Sequence, residues 1–339
     1  MNAQNSIEHV VIILRENHTF DNYFGTFPAA NGVTLPPAAD PPAGGDPPHD
    51  HAAWLNRAAG AVRQQYKEGD IPAYFAYARQ FTLCDNYFTA IASQSEPNYL
   101  VLIAAASPVI DNSAPSRTYQ PQPPFDIPSL PQNLERAGLT WKNYAFKTFN
   151  FFYHIKALAG SPNLVRWSQF DLDVEAGKLP SVSWLFAPTG LDEHPPFGKN
   201  AGKPTVKPGM LWTVARIDQI AKSPLWSKMA IFVTWDDWGG WYDHVEPPLN
   251  DTWQGDGPKR GPAYRGTQFS YGNRVGCLVM SPYARRGISA TFHSHYSIIR
   301  FCEKTFGLPP INDHDAAADD MSDCFDFNQT PLAPPVSGL

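Results

Sequence analysis

The stretch Val10-Val11-Ile12-Ile13-Leu14 constrains the chain most, because the residues directly after it change character at once. An aliphatic, mostly β-branched run of this length is too short to cross a membrane. It fits a strand buried on both faces, as in a parallel sheet. Glu16 and Asn17 come next but one residue later, and Gly25 closes the segment as a turn. A carboxylate and a carboxamide at the carboxyl end of a buried strand stand where open α/β sheets place their ligands, which makes Glu16 and Asn17 candidate oxygen donors for a cation. An isolated pair of this kind more commonly caps a helix, so the choice rests on partners elsewhere. Such a partner exists. The apolar run Met229 to Trp235 delivers Asp236-Asp237 and then Trp238-Gly239-Gly240. Adjacent carboxylates at a strand end repel each other and are costly to hold without a cation, and the glycines allow a tight backbone turn beside them.

The chain has 339 residues, enough for a large core, and is expected to form a single α/β domain over 1–339 with long Pro-rich insertions. A formal net charge of -6 shows no basic excess, so nucleic acid is not an expected partner. With 34 prolines and 13% aromatic residues, many positions belong to ordered loops walled by rings, which suits an enzyme cleft better than a small binding module. Cys84, Cys277, Cys302 and Cys324 show no CxxC spacing. Cys277 lies in an apolar run and reads as a buried thiol, while a Cys302–Cys324 bridge stays open. The segment before the first strand has neither a basic nor an apolar region of a secretory signal.

Between the two apolar runs the pattern predicts helices from His49 to about Lys67 and from Ile71 to Phe81, a strand from Thr82, a helix after Pro97, Pro-rich loop over 107–139, strands at Thr140–Tyr144 and Leu179–Phe186, and an amphipathic helix over Met210–Lys222. Later come a strand near Val275–Pro282, a helix from Ser294 to Gly307, and an acidic, Pro-rich tail. Ser95 precedes the Tyr99–Ala106 run, and a serine at a helix start sits among unpaired N–H groups that attract an anion, where a nucleophile for phosphorus is well placed; a lone serine there is more often an N-cap. His51 falls near a helix start with His49 beside it, His154 ends the aromatic stretch Phe149–Tyr153, and His194 lies in the loop Asp192–Pro196. For His49 and His51 a solvated helix start and a functional role stand about even, whereas His154 or His194 alone is more often structural or at the surface; one histidine after each of several strands is a pattern.

Taken together these stretches resemble the bacterial phosphoesterase family that contains non-haemolytic phospholipase C and the respiratory-burst-inhibiting acid phosphatases. The family pattern Glu-Asn-(Arg/His)-(Ser/Thr)-Phe-Asp-x-(Tyr/Met)-Phe-Gly is met by Glu16–Gly25, Ser-x-Pro-Asn by Ser95–Asn98, Glu-His-Pro by Glu193–Pro195, and Asp-(Glu/Asp)-x-Gly-Gly-x-Tyr-Asp-His-Val by Asp236–Val245. The resemblance implies a three-layer α/β/α fold, alkaline-phosphatase-like, with a central mainly parallel sheet. It implies one divalent metal ion (Ca2+, Mg2+, Mn2+ or iron) on Glu16, Asn17, Asp236 and Asp237, with Ser95 as nucleophile passing through a phosphoserine intermediate. His51, His154 and His194 match the phosphate-pocket histidines and are assigned to substrate binding and acid catalysis, with Asn17 serving metal and phosphate; His244 and His295 are expected to be supporting or structural. The chain is expected to hydrolyse phosphate monoesters as an acid-phosphatase-like enzyme. The alternatives are a phospholipase C cleaving phosphatidylcholine-type lipids, for which a membrane lipid is the substrate, and a metal-stabilised binding protein without turnover. The family suggests a periplasmic or secreted location if a leader was removed, otherwise a cytoplasmic one.

Overall fold

The two apolar runs become neighbouring strands at the centre of the molecule. The structure is a computed structural model that describes residues 6–146, 150–197 and 201–339; Phe149, from the aromatic stretch noted above, lies outside them. Eight strands form the main sheet: β1 (His9–Arg15), β2 (Thr82–Cys84), β3 (Trp141–Ala145), β4 (Leu164–Arg166), β5 (Val182–Phe186), β6 (Met229–Trp235), β7 (Cys277–Met280) and β8 (Gly287–Ser289), in the spatial order β8-β2-β7-β6-β1-β5-β3-β4. β1 pairs in parallel with β5 on one side and β6 on the other, and β7 alone runs antiparallel to its neighbours. Val10 to Ile13 and Ala230 to Val233 are all fully buried, as expected of strands covered on both faces.

The covering helices fall into two packed groups. One joins α4 (Ser95–Ala104), α5 (Leu130–Arg136) and α8 (His295–Phe306); the other joins α3 (Pro72–Gln80), α6 (Ser168–Glu175) and α7 (Val206–Ala221). Two short helices, α1 (Phe20–Phe24) and α2 (His51–Leu55), belong to the loops at the carboxyl ends of the strands. The fold is α/β, as the motifs imply.

Local differences from the sequence reading have simple causes. The helix expected from His49 to Lys67 is only α2 plus one turn at Arg57–Gly60, because the later residues pair outward, Val62 with Trp241 and Gln65 with Pro37. The Pro-rich stretch 107–139 ends in α5, whose Pro131 sits in the first turn where a missing N–H costs nothing. The tail carries a short helix at Asp313–Ala317, and a short 3-10 turn at Ser322–Cys324 brings Cys324 beside Cys84 instead of Cys302; all four cysteines are free thiols.

Candidate active site

Four strand and helix ends meet in one cavity of about 200 Å3, lined among others by Glu16, Asp46, His49, Ser95, Tyr99, Asp192 and His194. β1 and β6 lie in register, so Glu16-Asn17 and Asp236-Asp237 leave the sheet side by side; the Asp236 amide donates to the Arg15 carbonyl at 3.0 Å. Asn17 adopts a left-handed φ of 65° and its amide N–H donates to Asp236 Oδ1 at 3.1 Å. This close crossing explains Gly239, where a Cβ would stand 2.2 Å from the Asn17 carbonyl oxygen and φ is +57°. Ser95 opens α4 and its hydroxyl donates to Asp237 Oδ2 at 3.2 Å. Asn98 of the same motif holds the preceding loop, accepting from the Ile91 amide at 2.8 Å and donating to the Gln94 carbonyl at 3.1 Å, so the serine is held at a set depth.

The carboxylates are electrostatically unfavourable as they stand. Burial pushes Glu16 up to about 8, with repulsion from Asp192 and Asp237 adding to it and the Tyr99 hydroxyl, which donates to Glu16, opposing it. Asp236 and Asp237 are driven well above the usual carboxylate range, first by burial and then by Glu16 and by Asp236 respectively. Asp236 Oδ2 is buried with no hydrogen-bond partner among the described residues.

The Asn17 amide shows what would satisfy this group. One of its terminal atoms lies 3.1 Å from Glu16 Oε2 and 3.2 Å from Asp236 Oδ1; the other lies 3.2 Å from His49 Nε2 and 3.1 Å from His194 Nε2. Each imidazole places Nδ1 at 2.7 Å from a backbone carbonyl, Pro47 for His49 and Pro195 for His194, which requires the proton on Nδ1. The amide satisfies all four contacts with its NH2 toward Glu16 Oε2 and Asp236 Oδ1 and its oxygen accepting at the two imidazole Nε2 positions, whereas a cation among the carboxylates calls for its oxygen on their side. Three carboxylates and a carboxamide oxygen are hard donors of the kind a divalent cation takes, and in chemistry the donor set fits one. Asp46, His49 and His194 have ligand atoms all within 4.8 Å of one another. Among the described residues, Glu16, Asp236 and Asp237 do not form a group that tight.

Not every predicted residue reaches the cavity. His51 is buried elsewhere: its Nδ1 donates to the Ala92 carbonyl at 2.7 Å, its Nε2 meets Thr267 Oγ1 at 2.8 Å, and its ring stacks on Trp54. His154 stands in a side cavity beyond Phe151, with Nδ1 2.7 Å from Glu96 Oε1. His194 does face the site, and its place comes from Glu193, whose buried carboxylate is held by Arg15 Nε and Tyr23 at 3.0 Å, by Trp235 at 3.1 Å and by Tyr74. The sequence reading passed over His49, which the structure sets beside Asn17, and Asp46, Tyr99 and Asp192, which carry no motif of their own. Trp238, beside the aspartate pair, donates to the His49 carbonyl at 2.9 Å and so positions that histidine. His295 Nε2 donates to the Asp236 carbonyl at 2.8 Å, and burial lowers it to about 4, keeping it neutral. His244 instead joins Asp21, Asp243 and the buried Arg274, an ion cluster that ties the segments after β1 and β6 together.

A model of the phosphoesterase family matches residues 7–58 and 43–309. The chain belongs to the phosphoesterase family. Among its relatives, phospholipase C A of Mycobacterium tuberculosis is 29% identical over 420 residues, spanning 96% of this chain and 78% of that protein. Non-hemolytic phospholipase C of Pseudomonas aeruginosa is 30% identical over 403 residues, spanning 95% of this chain and 57% of that protein. Among solved structures, human ectonucleotide pyrophosphatase/phosphodiesterase 5 superposes with a TM-score of 0.54 at 8% identity, covering 94% of this chain and all of that one, 100%. A protein of the alkaline phosphatase superfamily from Vibrio parahaemolyticus gives 0.50 at 12% identity, covering 93% and 70%. The fold is therefore of alkaline-phosphatase type, and the chain is a phosphoric ester hydrolase.

Proposed function

We propose that this phosphoesterase cleaves the phosphodiester of a phospholipid, as a C-type phospholipase, with Ser95 as nucleophile. One observation carries the reading: the cavity lined by Ser95, Glu16 and the two imidazoles is walled as well by Tyr99, Phe146, Phe151, Phe186 and Phe197. Phe146 and Phe197 are 45% and 44% exposed, which places apolar rings toward solvent where a lipid's glycerol and acyl portions would lie. The same rings suit a quaternary ammonium headgroup through cation–π contact. The phospholipase C relatives support this substrate class over the small monoesters favoured by sequence reasoning.

In the first step Ser95 Oγ forms a bond to phosphorus, its proton passes to Asp237, and the bond from phosphorus to the glycerol oxygen breaks. An imidazole protonated at Nε2, His49 or His194, gives its proton to that leaving oxygen. Water then attacks the phosphoserine, giving a proton to the imidazole that the first step left without one, while the Oγ–phosphorus bond breaks, Asp237 returns its proton to Ser95 Oγ and the phosphorylated headgroup leaves. Asn17, between the two rings and the carboxylates, orients both halves of the site. A divalent cation held by Glu16, Asn17, Asp236 and Asp237 would supply the positive charge that favours the serine alkoxide and the phosphoryl oxygens.

The test is hydrolysis of p-nitrophenylphosphorylcholine beside p-nitrophenyl phosphate, with divalent metals supplied, for the wild type and Ser95→Ala. The reading expects turnover of the diester, best on the acid side of neutrality because the leaving oxygen needs a proton, and its loss in the variant at unchanged melting temperature. Turnover of the monoester alone would return the substrate to the phosphatase class. An active Ser95→Ala would remove the phosphoserine step.

A further inference from the structure

Outside the active-site cavity, the structure gathers a second set of donors with a different chemistry. Cys84 ends β2, Cys324 lies in the 3-10 turn Ser322–Cys324, and His293 immediately precedes the Ser294 N-cap of α8. All three side chains are buried. Their ligand atoms lie within 4.8 Å of one another, with Cys84 Sγ 3.7 Å from Cys324 Sγ and Cys324 Sγ 3.8 Å from His293 Nε2. We propose that Cys84, Cys324 and His293, with Asp323 as fourth donor, bind a zinc-type ion that staples the carboxyl-terminal segment to the sheet edge.

The two thiols and the imidazole are spaced for such an ion, and Asp323 stands beside two of the three. Tetrahedral coordination at a Zn–S distance of about 2.3 Å sets neighbouring sulfurs about 3.8 Å apart. His293 Nδ1 lies 2.8 Å from Asp319 Oδ1 but off hydrogen-bond alignment, so a small turn of the ring would let that carboxylate orient it with its other nitrogen toward the metal. Asp323 Oδ1 lies 3.2 Å from His293 Nε2 and 3.8 Å from Cys324 Sγ, and with its side chain 34% exposed it also marks the way in. Ser289 Oγ, 3.1 Å from the same Nε2 and 2.5 Å from Asp323 Oδ2, holds that carboxylate on the cluster. Paired thiolates and an imidazole select zinc over the hard cations suited to the all-oxygen set at the active site. Cys277 faces Cys84 from the adjacent strand and lies outside the gathered set.

The staple touches segments that lead to the active site. Asp85, next after Cys84, accepts the Asn31 amide on its carboxylate at 2.8 Å and Arg274 Nη1 on its carbonyl at 2.8 Å. His293 stands two positions before His295, which holds the Asp236 carbonyl. A bound ion would thus secure these segments and the tail together.

The probe is Co2+ added to the full chain after chelation, read by thiolate-to-cobalt charge-transfer absorption, which oxygen donors cannot produce. The band is expected in the wild type, in Cys277→Ser and in Asp236→Asn, and is expected to vanish in Cys84→Ser and Cys324→Ser, whose zinc content also falls by about one ion per chain. Asp319→Asn, altered at the rim, is expected to keep its fold and bind cobalt at least about tenfold more weakly. Absence of the band in folded wild type, its persistence in both cysteine variants, or wild-type affinity in Asp319→Asn would overturn the proposal. So would a wild-type protein isolated under non-oxidising conditions with Cys84 and Cys324 joined in a disulfide.

Discussion

Two histidines separated by one residue have different fates, and the difference is testable. Asp50 caps α2 by accepting the Ala53 amide at 3.0 Å, so His49 lies outside the helix and turns to the cavity while His51 opens the first turn and points inward. His49→Ala is expected to lower kcat by about 10²- to 10⁴-fold at unchanged stability, the usual worth of a positioned proton donor. His51→Ala is expected to leave the chemistry largely intact and to cost about 1–3 kcal/mol, since it abandons the Ala92 carbonyl and the Thr267 hydroxyl in a buried place. Steady-state kinetics beside urea denaturation of both variants distinguishes the roles; equal kinetic losses would contradict the assignment. From sequence, both residues sit at a helix start, and only the direction of the chain leaving Pro47 and Pro48 separates them.

The ends of β1 and β6 carry the site, and Gly239 permits their contact. Gly239→Ala combines a left-handed φ with a Cβ placed 2.2 Å from the Asn17 carbonyl, so the aspartate pair must move away from Asn17. Activity is expected to fall at least about tenfold, with weaker metal binding by calorimetry, a misplacement effect of the kind a shift near 1 Å produces. α8 offers a separate test of burial. Glu303 is raised to about 8 by burial and by the neighbouring Asp315, with Arg300, 3.2 Å away, opposing. A carboxyl whose folded value exceeds its ordinary 4.5 contributes stability that is fully present below that ordinary value and is lost as pH rises through about 8. Melting temperatures measured across that window should therefore decline less steeply for Glu303→Gln than for the wild type; superimposable slopes would show that Glu303 ionises freely in the folded chain.

At the scale of the whole molecule, the buried Arg274 links what the strands separate, pairing with Asp21 after β1 and Asp243 after β6 at 3.1 Å each. Arg274→Leu strands those carboxylates and is expected to cost about 3–5 kcal/mol by denaturant titration. Removing divalent metal from the wild type is expected to lower its melting temperature together with its activity, and readdition at about 100 times the dissociation constant should restore about 2.7 kcal/mol. A chelated protein with unchanged stability would argue against a cation among Glu16, Asn17, Asp236 and Asp237.

Residue order alone determined the set of polar groups delivered by the strongest apolar runs. β1 and β6 are continuous buried strands, their period and length are local properties, and the residues after them arrive at the sheet's carboxyl edge whatever the loops do. Ser95 was legible for a similar reason, since the motif through Asn98 builds its own helix start. The tertiary structure decided which histidines join them. His49, His194 and Asp46 come together from loops whose courses depend on distant partners, Trp238 for His49 and the buried Glu193 cluster for His194. It also decided that His51 and His154 serve Thr267 and Glu96 instead, and that Cys324 meets Cys84. Strand periodicity is written in neighbouring residues, whereas the direction of a loop side chain is settled by contacts between segments far apart in the chain.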